Sequence, residues 1–259
     1  MEKKFEDGII FLTTNDRTLN VLDRLVKEGE KIRTLVFPFK AKNENKITNL
    51  INFAERWGIA YCRPKIKELE NVLTQIGPVE FLITAGYPFI LPAGVLSICR
   101  FNINIHPTLL PKYRGPNIEW HVIANGENES GVTIHFLHEK ADKGAIIEQS
   151  VVKLTKFDTI YSLLRKTAEI EPELLMRAIE KLRKGFPGIP QNEVLATYYP
   201  NLRTPEDSQL DPKKSLSELF DFIRACDPQR FPAFFYVNGE KVAVKLFRPD
   251  KPSDEPDLI

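Results

Sequence analysis

Residues 101–115 read Phe-Asn-Ile-Asn-Ile-His-Pro-Thr-Leu-Leu-Pro-Lys-Tyr-Arg-Gly. Apolar and polar residues alternate from 101 to 105, the period of a strand, and Pro107 stops it because proline cannot donate to a sheet ladder. Asn104 and His106, two apart, therefore project to one face at the strand's carboxyl end. Open α/β sheets bind their ligands beside such strand ends.

Working back from this strand, apolar runs at residues 8–14, 32–37, 59–62 and 79–84 predict four more strands. Leu19, Leu22, Leu25 and Val26 recur with helical spacing after the Thr-Thr-Asn-Asp stop at 13–16, and residues 47–57 and 66–76 read as two further helices. This alternation predicts an α/β fold, a Rossmann-like, mostly parallel sheet with helices on both faces. No Gly-x-Gly-x-x-Gly follows the first strand, which argues against dinucleotide binding.

Working forward, residues 118–125 predict a helix stopped at Gly126. Strands at 131–137 and 145–153 flank the acidic turn Ala141-Asp142-Lys143-Gly144. Residues 161–184 predict a helix that restarts or kinks at Pro172, since proline removes a helix donor and crowds the preceding turn. Gly185, Pro187, Gly188 and Pro190 then open a linker of the composition that marks domain boundaries. Beyond it, 215–226 fits an amphipathic helix, and Asn238-Gly239 between two apolar runs signals a tight hairpin. The expected plan is a catalytic domain over 1–186, a linker over 187–204 and a small C-terminal α+β domain over 205–259.

Composition narrows the function. With 259 residues and 42% hydrophobic content the chain can bury a sizeable core. Lys plus Arg number 36 against 35 Asp plus Glu, so no overall field draws nucleic acid or an anionic membrane. Cys62, Cys99 and Cys226 lack the paired spacing of a metal site or disulfide framework, which suits a reducing cytoplasm. The charged amino end is unlike a secretion signal, and no apolar run approaches the ~20 residues of a membrane span. A cytoplasmic protein without metal, nucleic acid or membrane partners is expected.

Taken together, Asn-x-His-Pro-Thr-Leu-Leu-Pro-x-Tyr-Arg-Gly from Asn104 to Gly115, Trp120, Asn125-Gly126-Glu127, Gly131-Val-Thr-Ile-His135 and Asp142-x-Gly144 resemble the folate-dependent formyltransferases. That family includes methionyl-tRNA formyltransferase, glycinamide ribonucleotide transformylase and sugar-nucleotide N-formyltransferases. The resemblance implies formyl transfer from 10-formyltetrahydrofolate to an amine, with Asn104, His106 and Asp142 as catalytic residues. It also implies that the loop from Thr84 through Gly86, Tyr87, Phe89, Ile90 and Leu91 receives the folate's pteridine ring. Lys143 stands where the family often has a small residue, and no catalytic group is lost by it. For His135, packing behind the site and contact with ligand both stay open; His121 and His138 read as ordinary histidines.

The acceptor is read from the segment after the linker. Leu202-Arg203-Thr204-Pro205-Glu206-Asp207 resembles the Arg-x-Pro-Glu-Asp segment of sugar-nucleotide formyltransferases, and related patterns occur in tRNA-formylating relatives. Tyr199 could stack on a base and Arg203 fork onto a diphosphate, with Arg114 and Lys112 steering the anion. The expected acceptor is a nucleotide-linked amino sugar. The alternatives are a methionyl-tRNA formyltransferase with a reduced C-terminal domain, against which the balanced charge and short appendage argue, and a non-catalytic folate- or nucleotide-binding relative. The aromatic hairpin Phe234-Phe235-Tyr236 suits either a homodimer contact or closure against the first domain.

Overall fold

The computed structural model describes residues 4–253. Its main sheet has seven strands in the order β3-β2-β1-β4-β5-β6-β7. These are β1 (Glu6–Thr13), β2 (Ile32–Val36), β3 (Ala60–Cys62), β4 (Val79–Ala85), β5 (Phe101–His106), β6 (Glu129–Phe136) and β7 (Ile146–Lys153). The pairs from β3 through β5 are parallel, and β6 joins β5 antiparallel. The strand order reverses between β1 and β4, so the carboxyl ends of β4 and β5 lie beside a topological switch point.

Alternation within the strands sorts their side chains to two faces. On one, Ile9, Phe11, Phe81, Ile83, Ile103 and Ile105 bury against α1 (Leu19–Lys27), α2 (Glu44–Trp57) and the later turns of α6 (Ile160–Arg183). On the other, Ile10, Leu12 and Leu82 pack with Leu69 and Leu73 of α3 (Leu69–Ile76) and Val95 of the single-turn α4 (Ala93–Leu96). Helices thus cover both faces, as the alternation predicts.

Local chemistry sets the boundaries. Asn43 caps α2 by accepting from the backbone of Asn45 and Lys46, and Gly58 closes it at φ +63. The helix expected to restart or kink at Pro172 does not restart there and runs as one element of 24 residues. Leu174, Leu175, Ala178, Ile179 and Leu182 are buried on the sheet beyond the proline, and this packing holds the helix where propensity alone would break it.

Contact density groups the chain into two compact units. Within the described residues, the first holds 4–106, 132–150 and 168–192; the second holds 107–131, 151–167 and 193–253. Within the second, α5 (Ile118–Ala124) packs on α7 (Leu216–Ala225). α7 begins at a capping box in which Ser215 and Glu218 bond each other's backbone N–H. The hairpin of β8 (Ala233–Val237) and β9 (Glu240–Val244) turns at Asn238-Gly239, both at positive φ. Of its aromatic run, Phe234 is buried and Tyr236 exposed. Among the described residues no helix is long and apolar enough to cross a membrane.

Candidate active site

Register builds the site. Thr84 of β4 pairs with Asn104 of β5, which pairs in turn with His135 of β6, so three polar residues stand abreast across three strands. One step towards the carboxyl end of β5, on the same face, His106 pairs with Thr133. Their neighbours in sequence, Ile83, Ala85, Ile105 and Ile134, belong to the opposite face and its core. A two-residue period in apolar strands thus yields a polar patch with a hydrophobic back.

Hydrogen bonds tie the row together. Thr84 Oγ1 lies 2.7 Å from Asn104 Oδ1, Asn104 Nδ2 lies 3.1 Å from His135 Nε2, and His135 Nδ1 lies 2.8 Å from the carbonyl oxygen of Phe136. Asn102, two residues earlier, shows the contrasting use of the same side chain: its amide donates to the carbonyl of Leu96 at 2.8 Å and secures a turn.

Asp142 arrives from the turn after β6. Its Oδ1 is 3.5 Å from His106 Nδ1 and 3.6 Å from His135 Nε2, with both imidazoles buried. The residue adopts φ +54, a conformation that short polar side chains tolerate best. Two features hold the turn. Gln191 donates to the carbonyls of Asp142 and Gly144 at 2.8 and 2.7 Å. Gly144 lies so close to β6 that a Cβ there would fall 1.7 Å from the Phe136 carbonyl oxygen. Gly144→Ala is therefore expected to destabilise the fold by about 3 kcal/mol, the upper part of the range for overpacking, because the obstacle is backbone. Urea unfolding measures it; a loss below about 1 kcal/mol would contradict the close approach.

His106, His135 and Asp142 bring three ligand-type atoms within 4.8 Å of one another. A divalent ion could use that spacing, and a hydrogen-bonded acid-base set uses it equally well. Sequence reasoning left His135 open; the register places it beside Asn104. The clue available was the alternation of Thr133 and His135 with apolar neighbours in β6.

The loop after β4 presents an apolar surface. Phe89 is 44% and Ile90 62% exposed, while Leu91 is buried in the core. Gly86, at φ +63, accepts from the Thr14 hydroxyl at 2.6 Å, which ties this loop to the one after β1. Tyr87 stacks edge-on with Phe89, and burial, followed by the nearby Cys62, pushes its hydroxyl up to about 12. That hydroxyl has no hydrogen-bond partner among the described residues.

In the second unit, Tyr199 lies parallel to Tyr113 at 5.7 Å between centroids and stacks on His121 at 3.8 Å. Burial, then the charge of Arg203, holds His121 below the ordinary histidine range, so its ring is neutral near pH 7. The Arg203 guanidinium sits 4.0 Å from the Trp120 ring and donates to Ser208 at 2.8 Å. Arg114 is buried, and its guanidinium forks onto both oxygens of Glu193 at 3.0 and 2.7 Å. Gly115 admits the backbone of Tyr199, whose carbonyl oxygen would lie 2.2 Å from a Cβ. Lys112 is exposed. Arg203, Arg114 and Tyr199 are thus drawn into this one unit, Arg114 through an ion pair that sequence alone does not reveal.

The mostly parallel α/β sheet thus gathers an amide, two imidazoles and a carboxylate at the end of its fifth strand, groups of the kind that can stabilise an oxyanion and move a proton. The formyl transferase family model matches residues 3–179. Methionyl-tRNA formyltransferase of Thermodesulfovibrio yellowstonii is 32% identical over 92% of this chain and 79% of its own length. Among solved structures, a 4-N formyltransferase from Francisella tularensis shares the fold at a TM-score of 0.74 and 22% identity, over 92% of this chain and 97% of that one. An N-formyltransferase from Helicobacter canadensis, complexed with folinic acid and dTDP-3-aminofucose, does so at 0.70 and 20%, over 90% and 85%. The chain belongs to the formyl transferase family, and it is an enzyme of formyl transfer.

Proposed function

We propose that the chain transfers the formyl group of 10-formyltetrahydrofolate to the amino group of a nucleotide-linked amino sugar, and that Asn104, His106 and Asp142 carry the chemistry. The convergence of Asp142 Oδ1 on His106 and His135, beside the Asn104 amide, is the observation that supports the catalytic assignment most directly. The neutral amine attacks the formyl carbon and the carbonyl oxygen becomes an oxyanion. Asn104 donates an N–H to that oxygen. Collapse breaks the bond from the formyl carbon to N10, which takes up a proton while the attacking nitrogen gives one up. Asp142 accepts the amine's proton, directly or through a water, and His106 donates at the oxyanion or to the departing nitrogen. The exposed Phe89 and Ile90 supply apolar wall for the pteridine ring, with Gly86, Tyr87 and Leu91 in the same loop and Thr84 in the strand before it.

For the acceptor, the stacked Tyr199 and His121 rings suit a planar base, and Arg203 suits a diphosphate. The near-equality of basic and acidic residues argues against a tRNA, whose binding rests on neutralising many phosphates. A tRNA acceptor is the second reading, favoured by the 32% identity to a methionyl-tRNA formyltransferase. The test is formylation of a panel of UDP-, dTDP-, GDP- and CMP-linked amino sugars beside initiator methionyl-tRNA, each with 10-formyltetrahydrofolate. Turnover of one amino sugar at least a hundredfold above tRNA is expected. Turnover of tRNA alone would overturn the sugar reading and leave formyl transfer standing.

A further inference from the structure

We propose that Thr84 is a positioning residue whose hydroxyl sets which end of the Asn104 amide faces the reacting carbonyl. The inference rests on the catalytic reading of Asn104. An amide side chain has two orientations of nearly equal shape, one presenting N–H groups and the other a carbonyl oxygen. Only the first can stabilise an oxyanion.

The choice is decided by the row across the sheet, starting from its one unambiguous member. The carbonyl oxygen of Phe136 accepts and cannot donate, so His135 Nδ1, 2.8 Å away, carries the hydrogen. With the ring taken as neutral, Nε2 holds a lone pair, and the Asp142 carboxylate lies 3.6 Å from it. Nε2 lies 3.1 Å from Asn104, whose nearer group must therefore be Nδ2, donating. That turns Oδ1 towards Thr84, whose hydroxyl, 2.7 Å away, has the proton to give. One amide hydrogen of Asn104 is committed to His135 and the second is left for the oxyanion. With His135 neutral, each link runs one way, from the Thr84 hydroxyl to the Phe136 carbonyl.

Thr84 is the only member of the row that donates to Oδ1 among the described contacts, and it is buried. Replacing its hydroxyl with a methyl leaves Oδ1 facing a hydrocarbon, an arrangement an amide escapes by rotating or by drawing water into the site. His135 alone then biases the amide, and the N–H is no longer held in place at the start of the reaction. Thr84 acts through Asn104, so its loss should register in turnover and not in folate affinity.

The experiment compares Thr84→Val, Thr84→Ser and Asn104→Ala by steady-state kinetics with 10-formyltetrahydrofolate, together with thermal unfolding. Thr84→Val, which keeps the volume and branching of threonine, is expected to lower kcat about 10- to 100-fold while KM for the folate stays within about twofold. Thr84→Ser, which restores the hydroxyl, is expected to recover kcat to within about threefold of the parent. A Thr84→Val enzyme with unchanged kcat, or with only a raised folate KM, overturns the assignment, the latter making Thr84 a cofactor contact. A Thr84→Ser enzyme as slow as Thr84→Val overturns it too. Asn104→Ala separates the two levels: if that variant keeps its turnover the catalytic reading itself falls, and if it is inactive while Thr84→Val is normal, only the role of Thr84 falls.

Discussion

Asn104→Ala is expected to reduce kcat by about 10²- to 10³-fold, the equivalent of about 2.7 to 4 kcal/mol of transition-state stabilisation lost with one preorganised donor. The position of the residue makes the effect specific. Its neighbours in the sheet, Thr84 and His135, are buried, and the substitution alters neither of them nor Asp142. Two hydrogen-bonding partners are left without Asn104, at a stability cost of about 1 to 3 kcal/mol if water does not replace the amide. Kinetics at a temperature well below the unfolding midpoint separate the two effects. KM for the folate is expected to change by less than about threefold, because the interaction lost is made to the oxyanion and not to the ground-state carbonyl. A kcat within tenfold of the parent would remove Asn104 from the chemistry.

Thr84 has one set of neighbours along the chain and another across the sheet. Along the chain it opens the Thr-Ala-Gly-Tyr-Pro loop and belongs with the residues expected to hold the pteridine. Across the sheet it is the register partner of Asn104. Strand periodicity supplies the face on which a residue lies and says nothing of which strand will be its neighbour, so the row Thr84, Asn104, His135 emerges only once β4, β5 and β6 are paired. The same limit hides Gln191. Its contact with the Asp142 turn joins residues far apart in sequence, and nothing in the local pattern of Pro190-Gln191-Asn192 marks it. What local patterns do convey is the alternation of elements, the strand end at Pro107, and the helix caps at Asn43 and Ser215, because each depends on neighbours in the chain. Pro172 shows the reverse case: local chemistry predicts an interruption, and burial of the residues beyond it carries the helix through.

Asp142→Asn should be the most damaging isosteric change at the site. The substitution keeps the shape of the side chain and tolerates φ +54 as well as aspartate does, and the Gln191 bonds go to backbone carbonyls that the variant retains. The turn therefore stays folded while its charge disappears. Loss of a general base typically costs about 10²- to 10⁴-fold, and here the same carboxylate also faces His106 at 3.5 Å and His135 at 3.6 Å. An amide in its place can hydrogen-bond one imidazole but takes no proton from the attacking amine. Asp142→Glu offers a second view: the carboxylate returns on a longer stem, at a left-handed backbone position that glutamate adopts less readily, so partial recovery at most is expected. Single-turnover formyl transfer, with folate affinity measured separately, reads the chemical step free of product release. A reduction below tenfold in Asp142→Asn would relieve the carboxylate of the base role. Activity of the parent that is lost on chelation and restored by one divalent ion would instead make Asp142, His106 and His135 ligands, and the same substitution would then abolish binding of that ion.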